Sequence, residues 1–247
     1  MNIDLVIFDM SGTTVQDDQV VERCFYQAAL RSGLRISRER IKDLMGWAKK
    51  DAIRMLWKEL LGSMDHPTYY VEVNRTYRLF KSFLEEYYQN NQPKPTPGAL
   101  QTFDWLHQHN VAIALVTDLY RNITNLILQK LGWIQQHTSS TNTHSLFHST
   151  LCADEIDRGL PNPNMIFKTM EQLHIKDSRR VVFVGDTTSD LRAGKSANCL
   201  FTLGITNGSH PAHALKCYPN DGLLHSLESF PSFLSAALGQ RGSITIN

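Results

Sequence analysis

The first apolar segment of the chain is short and is followed at once by polar residues. Leu5 to Phe8 are all apolar, and the run ends at Asp9. An apolar run of this length is too short for a helix and predicts a strand that is buried on both faces. The Ser-Gly-Thr-Thr segment at 11–14 breaks the pattern and predicts a loop at the end of that strand.

From about Gln19 to Gln89 the apolar residues recur at helical spacing. Ser37 is a candidate N-cap for a helix through Met45, and a further helix is predicted over residues 50–61. Pro67 is predicted to open a long helix. The apolar stripe predicted for that helix consists of Tyr70, Val73, Tyr77, Phe80 and Tyr87. Such a stripe is typical of the core of a helical bundle.

A stiff segment at 93–98, which contains three prolines and a glycine, separates this helical region from a different pattern. Beyond it, helices are predicted over 99–109, 123–131 and 164–173, and strands over 111–116, 149–152, 181–185 and, as the last strand, 199–203. The His- and Thr-rich stretch 136–148 predicts a surface loop. Alternating strands and helices indicate an α/β fold with a doubly wound parallel sheet.

These patterns predict one domain into which a second domain is inserted. We expect residues 1–14 and 96–247 to form the α/β core, and residues 15–95 to form an all-helical cap inserted after the first strand. Ligands bind beyond the carboxyl ends of the strands in such sheets. Three predicted strand ends carry suitable polar residues, namely Asp9, Thr117-Asp118 and Gly185-Asp186-Thr187. A lid hinged at Val15 and at 93–97 would lie over them.

Composition excludes several classes of protein. The chain has 247 residues, of which 25 are basic and 24 acidic, so no charge excess points to nucleic acid or to a membrane surface as a partner. The four cysteines are scattered and form no C-x-x-C pair, which favours buried thiols over disulfides or a zinc site. We see no signal peptide and no apolar stretch of membrane-spanning length. We therefore expect a soluble, cytoplasmic protein.

The strand-end residues suggest phosphate and metal chemistry. Asp9 is placed to act as a nucleophile and a Mg²⁺ ligand, although a strand-end Asp also commonly satisfies a turn. Gly12 permits a tight turn whose amides could face a phosphate. Asp186 and Asp190 are four residues apart and offer the oxygen ligands that Mg²⁺ prefers, while a helix-capping role for Asp190 is the simpler alternative. Thr117 and the amides after it are a candidate phosphate contact.

Taken together, these motifs and the inserted helices resemble the haloacid dehalogenase superfamily over nearly the whole chain. The resemblance implies hydrolysis through an aspartyl-phosphate formed on Asp9, with Mg²⁺ as the cofactor. It also implies that the metal is held by Asp9, the backbone carbonyl of Ser11, Asp186 and Asp190. Thr117 matches the family's phosphate-binding hydroxyl residue, and Ser11, Gly12 and Asp118 are further candidates for phosphate binding.

One position departs from the common pattern of that family. Most of its phosphatases have a second Asp two residues after the nucleophile, where this chain has Ser11. A serine hydroxyl is a poor general acid or base near neutral pH, so ordinary ester cleavage should suffer.

The phosphonatase branch lacks this Asp, because a cap lysine forms a Schiff base with the substrate aldehyde and no alkoxide has to be protonated. The chain resembles that branch at 8–15 and in Met-Gly-Trp-Ala-Lys at 45–49, so Lys49 matches its lysine. To attack, Lys49 needs its pKa lowered by burial or by a neighbouring cation such as Lys50. The alternative is that Lys49 and Lys50 are a solvated pair at a helix start.

Two further departures concern the same branch. Ala52 stands where that branch has a histidine, and Leu160 stands where the branch has a phosphate-binding arginine. Arg158, or Lys168 one helix further on, is a candidate replacement for that arginine.

Three hypotheses remain open. The first is a phosphonatase-like enzyme that cleaves a carbon–phosphorus bond with Asp9 and Lys49. The second is a phosphate monoesterase for small metabolites. The third is a binding or regulatory relative that has lost turnover. In each case the expected ligand is a small phosphonate or phosphate. The aromatic content of the helical segment is compatible with a homodimer formed through the cap.

Overall fold

The computed structural model describes residues 3–134 and 146–242, and its side chains up to residue 239. Most of the predicted surface loop at 136–148 lies outside the described residues. The helices are α1 (Val20–Arg31), α2 (Arg38–Asp43), α3 (Lys49–Leu61), α4 (Tyr69–Asn90), α5 (Ala99–Gln108), α6 (Arg121–Lys130), α7 (Asn164–Gln172), α8 (Thr188–Ser196), α9 (Ala212–Leu215) and α10 (Phe230–Gly242). The strands are β1 (Leu5–Asp9), β2 (Ala112–Thr117), β3 (Ser149–Cys152), β4 (Val181–Gly185), β5 (Phe201–Ile205) and β6 (Gly222–Leu224).

The strands form one parallel sheet in the order β3-β2-β1-β4-β5-β6. This arrangement confirms the predicted α/β fold with a doubly wound parallel sheet. The chain builds the sheet outward from β1 to one side through β3, and then restarts at β4 on the other side. The strand order therefore reverses between β1 and β4, which is where ligands bind in open sheets of this kind.

The last part of the sheet differs from the prediction. The final predicted strand, over 199–203, lies two residues too early, because β5 runs from Phe201 to Ile205 and pairs with β4 from Phe201 to Gly204. It is also not the last strand, since β6 follows it. A three-residue strand with the sequence Gly-Leu-Leu gives too little periodicity to be predicted.

The buried face of α4 is also partly different from the predicted stripe. Val73 and Phe80 are buried as expected, and Tyr77 is partly buried, but Tyr70 is 65% exposed and Tyr87 is only partly buried. The neighbouring positions Tyr69 and Tyr88 are buried instead. A polar contact contributes to this helix orientation, because buried Thr76 accepts a hydrogen bond of 2.8 Å from Trp57 Nε1 of α3.

Two adjacent linkers connect the inserted helices α1 to α4 to the sheet layer. Val15 bridges to Pro95, the amide of Gln16 donates to the carbonyl of Lys94 at 2.9 Å, and the Thr96 hydroxyl donates to the carbonyl of Thr13 at 2.7 Å. Both linkers lie beside the carboxyl end of β1. The inserted helices are thereby held next to the strand ends that carry Asp9 and Asp186.

Ser37 caps α2 as predicted, since its side chain accepts a hydrogen bond from the amide of Arg40 at 3.1 Å. Among the helices that the structure describes, none combines the length and the apolar character that crossing a membrane requires.

Candidate active site

Four carboxylates from three strand ends meet where the strand order reverses. Asp9 ends β1, Asp118 follows β2, Asp186 follows β4, and Asp190 lies in the first turn of α8. All four are buried. Burial raises the pKa of Asp9 well above its usual value, and the nearby charges of Asp190, Asp186 and Asp118 raise it further. The mutual repulsion of carboxylates in such a cluster favours either their protonation or the binding of a cation.

The loop after β1 closes tightly around this cluster. Gly12 has a φ of +88°, and a Cβ there would overlap the Asp186 carboxylate, so this position requires glycine for both reasons. The amide of Gly12, however, donates to the carbonyl of Val15 at 2.8 Å. That amide is therefore engaged within the turn, which corrects the expectation that Gly12 offers its N–H to a phosphate.

Asp186 is held by groups on both sides of it. Thr13 Oγ1 donates to one carboxylate oxygen at 3.0 Å, and the backbone amide of Ser209 donates to the other. Burial raises the pKa of Asp186, and these donors and His210 oppose that shift. Gly208 also borders Asp186, since a Cβ there would overlap its side chain.

Asp190 serves the helix-capping role that was considered as the simpler alternative. One carboxylate oxygen accepts hydrogen bonds from the amide of Thr187 at 2.9 Å and from its hydroxyl at 2.6 Å. The other oxygen, Oδ1, is buried and has no hydrogen-bond partner among the described residues. Burial, and secondarily the charge of Asp186, raises the pKa of Asp190 to about 7. The capping role thus leaves one oxygen free for another ligand.

The donor set fits a hard divalent cation such as Mg²⁺. Asp190 Oδ1 is an orphaned acceptor, and the Ser11 carbonyl accepts no hydrogen bond within the described residues. Oxygen ligands of this kind are the ones that Mg²⁺ selects. In the part of the chain that the structure describes, no three Asp, Glu, His or Cys side chains already form a metal-binding group.

Lys49 lies in this cluster and not in solvent. It is the first residue of α3, its side chain is 1% exposed, and its ammonium group forms an ion pair with the Asp118 carboxylate. It also donates to the carbonyl of Trp47 at 3.1 Å. The neighbouring Lys50 is partly buried with its Nζ 5.8 Å from the centre of the Tyr77 ring. The alternative of a solvated lysine pair is therefore wrong for Lys49.

Thr117 and Asp118 form the second side of the site. The Thr117 hydroxyl is buried and accepts a hydrogen bond from the amide of Leu119 at 3.2 Å, which leaves its own proton available to a ligand. The Asp118 side chain is occupied by Lys49. The structure thus gives Asp118 a lysine partner, where the sequence suggested a phosphate contact.

Close packing places the segment before Lys49 on the sheet. Gly46 has a φ of +80°, and a Cβ there would overlap the Thr187 hydroxyl. Ala48 similarly approaches Gly159, where a Cβ would lie 3.2 Å from that of Ala48. These contacts fix Lys49 between the inserted helices and the carboxyl ends of the strands.

A histidine links the same two parts of the molecule. His210 Nδ1 accepts a hydrogen bond from the amide of Thr188 at 3.1 Å. With that nitrogen accepting, the ring proton lies on Nε2, which donates to the carbonyl of Lys42 at 3.0 Å. His210 therefore joins α8 of the sheet layer to α2 of the inserted helices.

The candidates for an anion-binding arginine receive no support from the geometry. Arg158 is exposed, and no hydrogen bond or ion pair among the described residues connects it to the carboxylate cluster. Lys168 pairs with Glu171 at 2.7 Å on the surface of α7. Leu160 is buried in the apolar cluster that also contains Met165. The arginine position is thus part of the core in this chain.

Several site residues were missed. Ser209 and His210 lie in the loop that follows β5, beyond the position directly after a strand end where the other candidates stand, so the strand-end signal did not reach them. Asp17 is buried in the linker into α1, where its Oδ1 accepts from the amide of Val21 at 3.1 Å. Burial raises the pKa of Asp17 to about 7. No motif in the sequence singled it out.

The chain is similar in sequence to curated proteins named phosphonoacetaldehyde hydrolase. Phosphonoacetaldehyde hydrolase of Hahella chejuensis is 25% identical over 218 residues, covering 84% of this chain and 69% of that protein. Phosphonoacetaldehyde hydrolase of Latilactobacillus sakei is 27% identical over 226 residues, covering 84% and 77%.

Solved structures share the fold. A phosphonoacetaldehyde hydrolase-like protein from Oleispira antarctica superposes with a TM-score of 0.76 at 18% identity, covering 96% of this chain and 92% of that one. A hydrolase from Pseudomonas syringae gives a TM-score of 0.78 at 15% identity, covering 95% and 99%.

Residues 6–203 match the family profile described as haloacid dehalogenase-like hydrolase. That match spans well over half of the sequence and includes Asp9, Lys49, Thr117, Asp186 and Asp190. The chain belongs to the haloacid dehalogenase-like hydrolases.

Proposed function

We propose that this chain is a Mg²⁺-dependent hydrolase of the phosphonatase type, which releases phosphate from a small carbonyl-bearing phosphonate. Asp9 is the nucleophile and Lys49 forms a Schiff base with the substrate carbonyl. The observation that carries the proposal is the burial of the Lys49 amine beside Asp118, in the same carboxylate cluster as Asp9. In this proposal residues 15–95 act as a cap that delivers Lys49 to the site.

The proposed reaction begins on Lys49. Asp118, which is in direct contact with the Lys49 ammonium, serves in this proposal as the base that removes its proton as the substrate carbonyl arrives. The free amine then adds to the carbonyl carbon, and loss of water gives a protonated imine. The imine is the electron sink that makes the carbon–phosphorus bond cleavable.

Asp9 completes the transfer. Its carboxylate oxygen attacks phosphorus, the carbon–phosphorus bond breaks, and the bonding electrons pass to the imine to give an enamine. Water hydrolyses the aspartyl-phosphate, and protonation and hydrolysis of the enamine release the aldehyde and regenerate Lys49. Asp9, the Ser11 carbonyl, Asp186 and Asp190 would hold Mg²⁺, which when bound neutralises phosphoryl charge. The Thr117 hydroxyl would donate to a phosphoryl oxygen.

The position of Ser11 is consistent with this chemistry. The Ser11 hydroxyl is buried and has no hydrogen-bond partner among the described residues, and it cannot act as an acid near neutral pH. The carbon–phosphorus cleavage described above forms no alkoxide and needs no acid at that position. The two relatives named phosphonoacetaldehyde hydrolase add support, at 25% and 27% identity.

A second candidate function is the hydrolysis of phosphate monoesters. The ion pair with Asp118 favours it, because a paired lysine stays charged and is then a poor nucleophile. A charged Lys49 could instead donate a proton to a leaving alkoxide, the role that Ser11 cannot fill. The site residues and the metal requirement would be the same.

The deciding experiment measures phosphate release with Mg²⁺ from phosphonoacetaldehyde and from a panel of small phosphate monoesters. The natural chain is compared with Lys49→Ala and with the matched control Lys50→Ala, which removes the adjacent lysine. We expect turnover of phosphonoacetaldehyde that Lys49→Ala abolishes and Lys50→Ala retains. Turnover of esters alone would select the second function. A rise in melting temperature with Mg²⁺ but no phosphate release from any compound would select a non-catalytic relative.

A further inference from the structure

The residues that the proposed reaction uses are closed off from solvent. Asp9 is 6% exposed and Asp118 is 8% exposed, while the Lys49 side chain is only 1% exposed. Asp9 and Asp118 belong to the sheet layer, whereas Lys49 belongs to α3 of the inserted helices. A substrate therefore reaches these groups when the inserted helices move away from the sheet, and the Schiff base forms when they return. The contacts that join the two layers away from the linkers determine this balance.

One such contact lies two residues after Asp118. Tyr120 is buried, and its hydroxyl donates to a carboxylate oxygen of Glu85 on α4 at 2.7 Å. Its ring also meets the ring of Tyr77, again on α4, edge-on with centres 6.3 Å apart. Burial, and next the hydrogen bond to Glu85, raise the pKa of Tyr120, so its hydroxyl keeps the proton that it donates. A hydrogen bond from a neutral donor to a carboxylate is among the stronger ones in proteins.

The backbone on either side of Tyr120 is tied to the loop after β3. The amide of Ala153 donates to the carbonyl of Leu119 at 3.0 Å. The amide of Arg121 donates to Asp154 Oδ1, also at 3.0 Å. The Tyr120 side chain thus projects from a fixed part of the sheet layer. Any movement of α4 away from that layer has to break the hydrogen bond of its hydroxyl.

Helix α4 is in turn joined to the helix that carries Lys49. Trp57 Nε1 of α3 donates to Thr76 Oγ1 of α4 at 2.8 Å. The Tyr69 hydroxyl of α4 donates to the carbonyl of Arg54 of α3 at 3.1 Å. Because these bonds hold α3 and α4 together, a restraint on α4 also restrains Lys49, the first residue of α3.

A second set of contacts between the α4 segment and α6 lies beside the linker that leads back to the sheet. Lys130 Nζ donates to the carbonyls of Gln89 at 2.9 Å and Asn91 at 3.2 Å. Glu85 precedes Asn91 by six positions, about 9 Å along the helix. A rotation about the linkers therefore separates Glu85 from Tyr120 more than it separates Asn91 from Lys130.

We propose that the hydrogen bond between Tyr120 and Glu85 is a latch that holds the inserted helices closed over the site. Tyr120 and Glu85 are then positioning residues for the pair of Lys49 and Asp118, and neither takes part in the chemistry. The inference rests on the proposed function for its effect on catalysis. Since Lys49 has to face Asp118 to lose its proton, loss of the latch lowers the closed fraction and with it the rate of imine formation.

The test measures how often Lys49 becomes accessible in the full chain, without substrate. The chain is treated with a low concentration of an amine-acetylating reagent, so that the acetylation rate of Lys49, followed by peptide mass spectrometry, is proportional to the open fraction. We expect Tyr120→Phe and Glu85→Leu to raise this rate about tenfold or more, as the loss of a hydrogen bond to a charged group implies. Glu85→Gln keeps an oxygen that accepts from the Tyr120 hydroxyl, so its rate should return towards that of the natural chain. Lys130→Met, which removes the contacts beside the linker, is the matched control and should leave the rate unchanged.

Thiol labelling of two buried cysteines separates movement from unfolding. Cys24 is buried among the inserted helices and Cys152 in the sheet layer, so each reports unfolding of its own layer. We expect both to react as slowly in the variants as in the natural chain. An unchanged Lys49 rate in Tyr120→Phe and Glu85→Leu would overturn the inference, and so would a rise that Cys24 and Cys152 share. Turnover of phosphonoacetaldehyde tests the proposed function separately, because acetylation of Lys49 requires no catalysis.

Discussion

Replacing Lys49 by methionine tests the buried ion pair directly. Methionine keeps most of the apolar stem of the lysine but removes its charge. The Asp118 carboxylate, 8% exposed, would then be left without its partner and within range of the charge on Asp9. Breaking a buried pair in this way costs about 3–5 kcal/mol of unfolding free energy, because the remaining charge is buried and uncompensated.

Asp118→Asn should cost less than Lys49→Met, about 1–3 kcal/mol. The Asp118→Asn substitution also leaves a charged group, Lys49, without its partner, but it removes one of the negative charges that raise the pKa of Asp9. The double variant should therefore be more stable than Lys49→Met alone, since neutralising Asp118 removes the unpaired charge. We expect this rescue to be about 2 kcal/mol, within the range of coupling measured for residues in contact.

The assay is urea unfolding followed by circular dichroism, at about pH 8 and with a chelator so that no metal masks the carboxylates. Lys50→Met is the matched control, because its Nζ only lies 5.8 Å from the Tyr77 ring centre, an interaction worth about 0.5–1 kcal/mol at exposed sites. If Asp118→Asn did not rescue Lys49→Met, the ion pair would not be the interaction that Lys49 provides to the fold.

Three further predictions concern the carboxylates and the contact between the inserted helices and the sheet. Burial raises the pKa of Asp17 from 3.8 to about 7, so the folded chain binds a proton on Asp17 more tightly than the unfolded chain does. As pH rises from about 4 to about 7, Asp17 therefore lowers the unfolding free energy of the natural chain, by up to about 4 kcal/mol. Over the same pH range, urea unfolding should show Asp17→Asn becoming progressively more stable relative to the natural chain, and a stability difference that stays constant over this range would contradict the burial argument. Gly46→Ala should destabilise the chain more than Gly62→Ala does, because both glycines have φ near +80° but only at Gly46 would a Cβ overlap a neighbour. The left-handed backbone alone costs about 1–3 kcal/mol in each variant. Equal losses of unfolding free energy would show that the contact with Thr187 is unimportant. Asp190→Asn should reduce the rise in melting temperature that Mg²⁺ causes, while the surface variant Asp177→Asn keeps it, and an undiminished rise would exclude Asp190 as a ligand.

The alternation of strands and helices predicted the fold well, since the central strands β1, β2 and β4 are each marked by a continuous apolar run. The errors fall where a pattern is locally ambiguous. The bounds of β5 were placed two residues too early because the apolar run begins at Cys199 and Gly204 interrupts it, although Gly204 belongs to the strand and pairs with Gly185. The face of α4 was partly misassigned because aromatic residues stand at the adjacent positions 69 and 70 and again at 87 and 88. Which of each pair is buried depends on packing against the neighbouring helices, including the hydrogen bond between Trp57 and Thr76.

The site was predictable as far as motifs reach. The placement of Asp9, Thr117, Asp186 and Asp190 at one edge of the sheet was predictable because each ends or directly follows a strand or lies at the start of a helix. The burial of Lys49 and its pairing with Asp118, 69 positions apart in sequence, depend on how the inserted helices lie on the sheet. Asp17 was missed for the same reason, since its burial arises only when the linker into α1 packs beside Asp186.

The central claim is that Lys49 bonds covalently to the substrate. The most direct measurement is borohydride reduction of the natural chain during turnover of phosphonoacetaldehyde with Mg²⁺, followed by peptide mass spectrometry. We predict an N-ethyl group on Lys49, which reports reduction of the imine that remains after the carbon–phosphorus bond has broken. Phosphate release that leaves Lys49 unmodified would contradict the Schiff-base account.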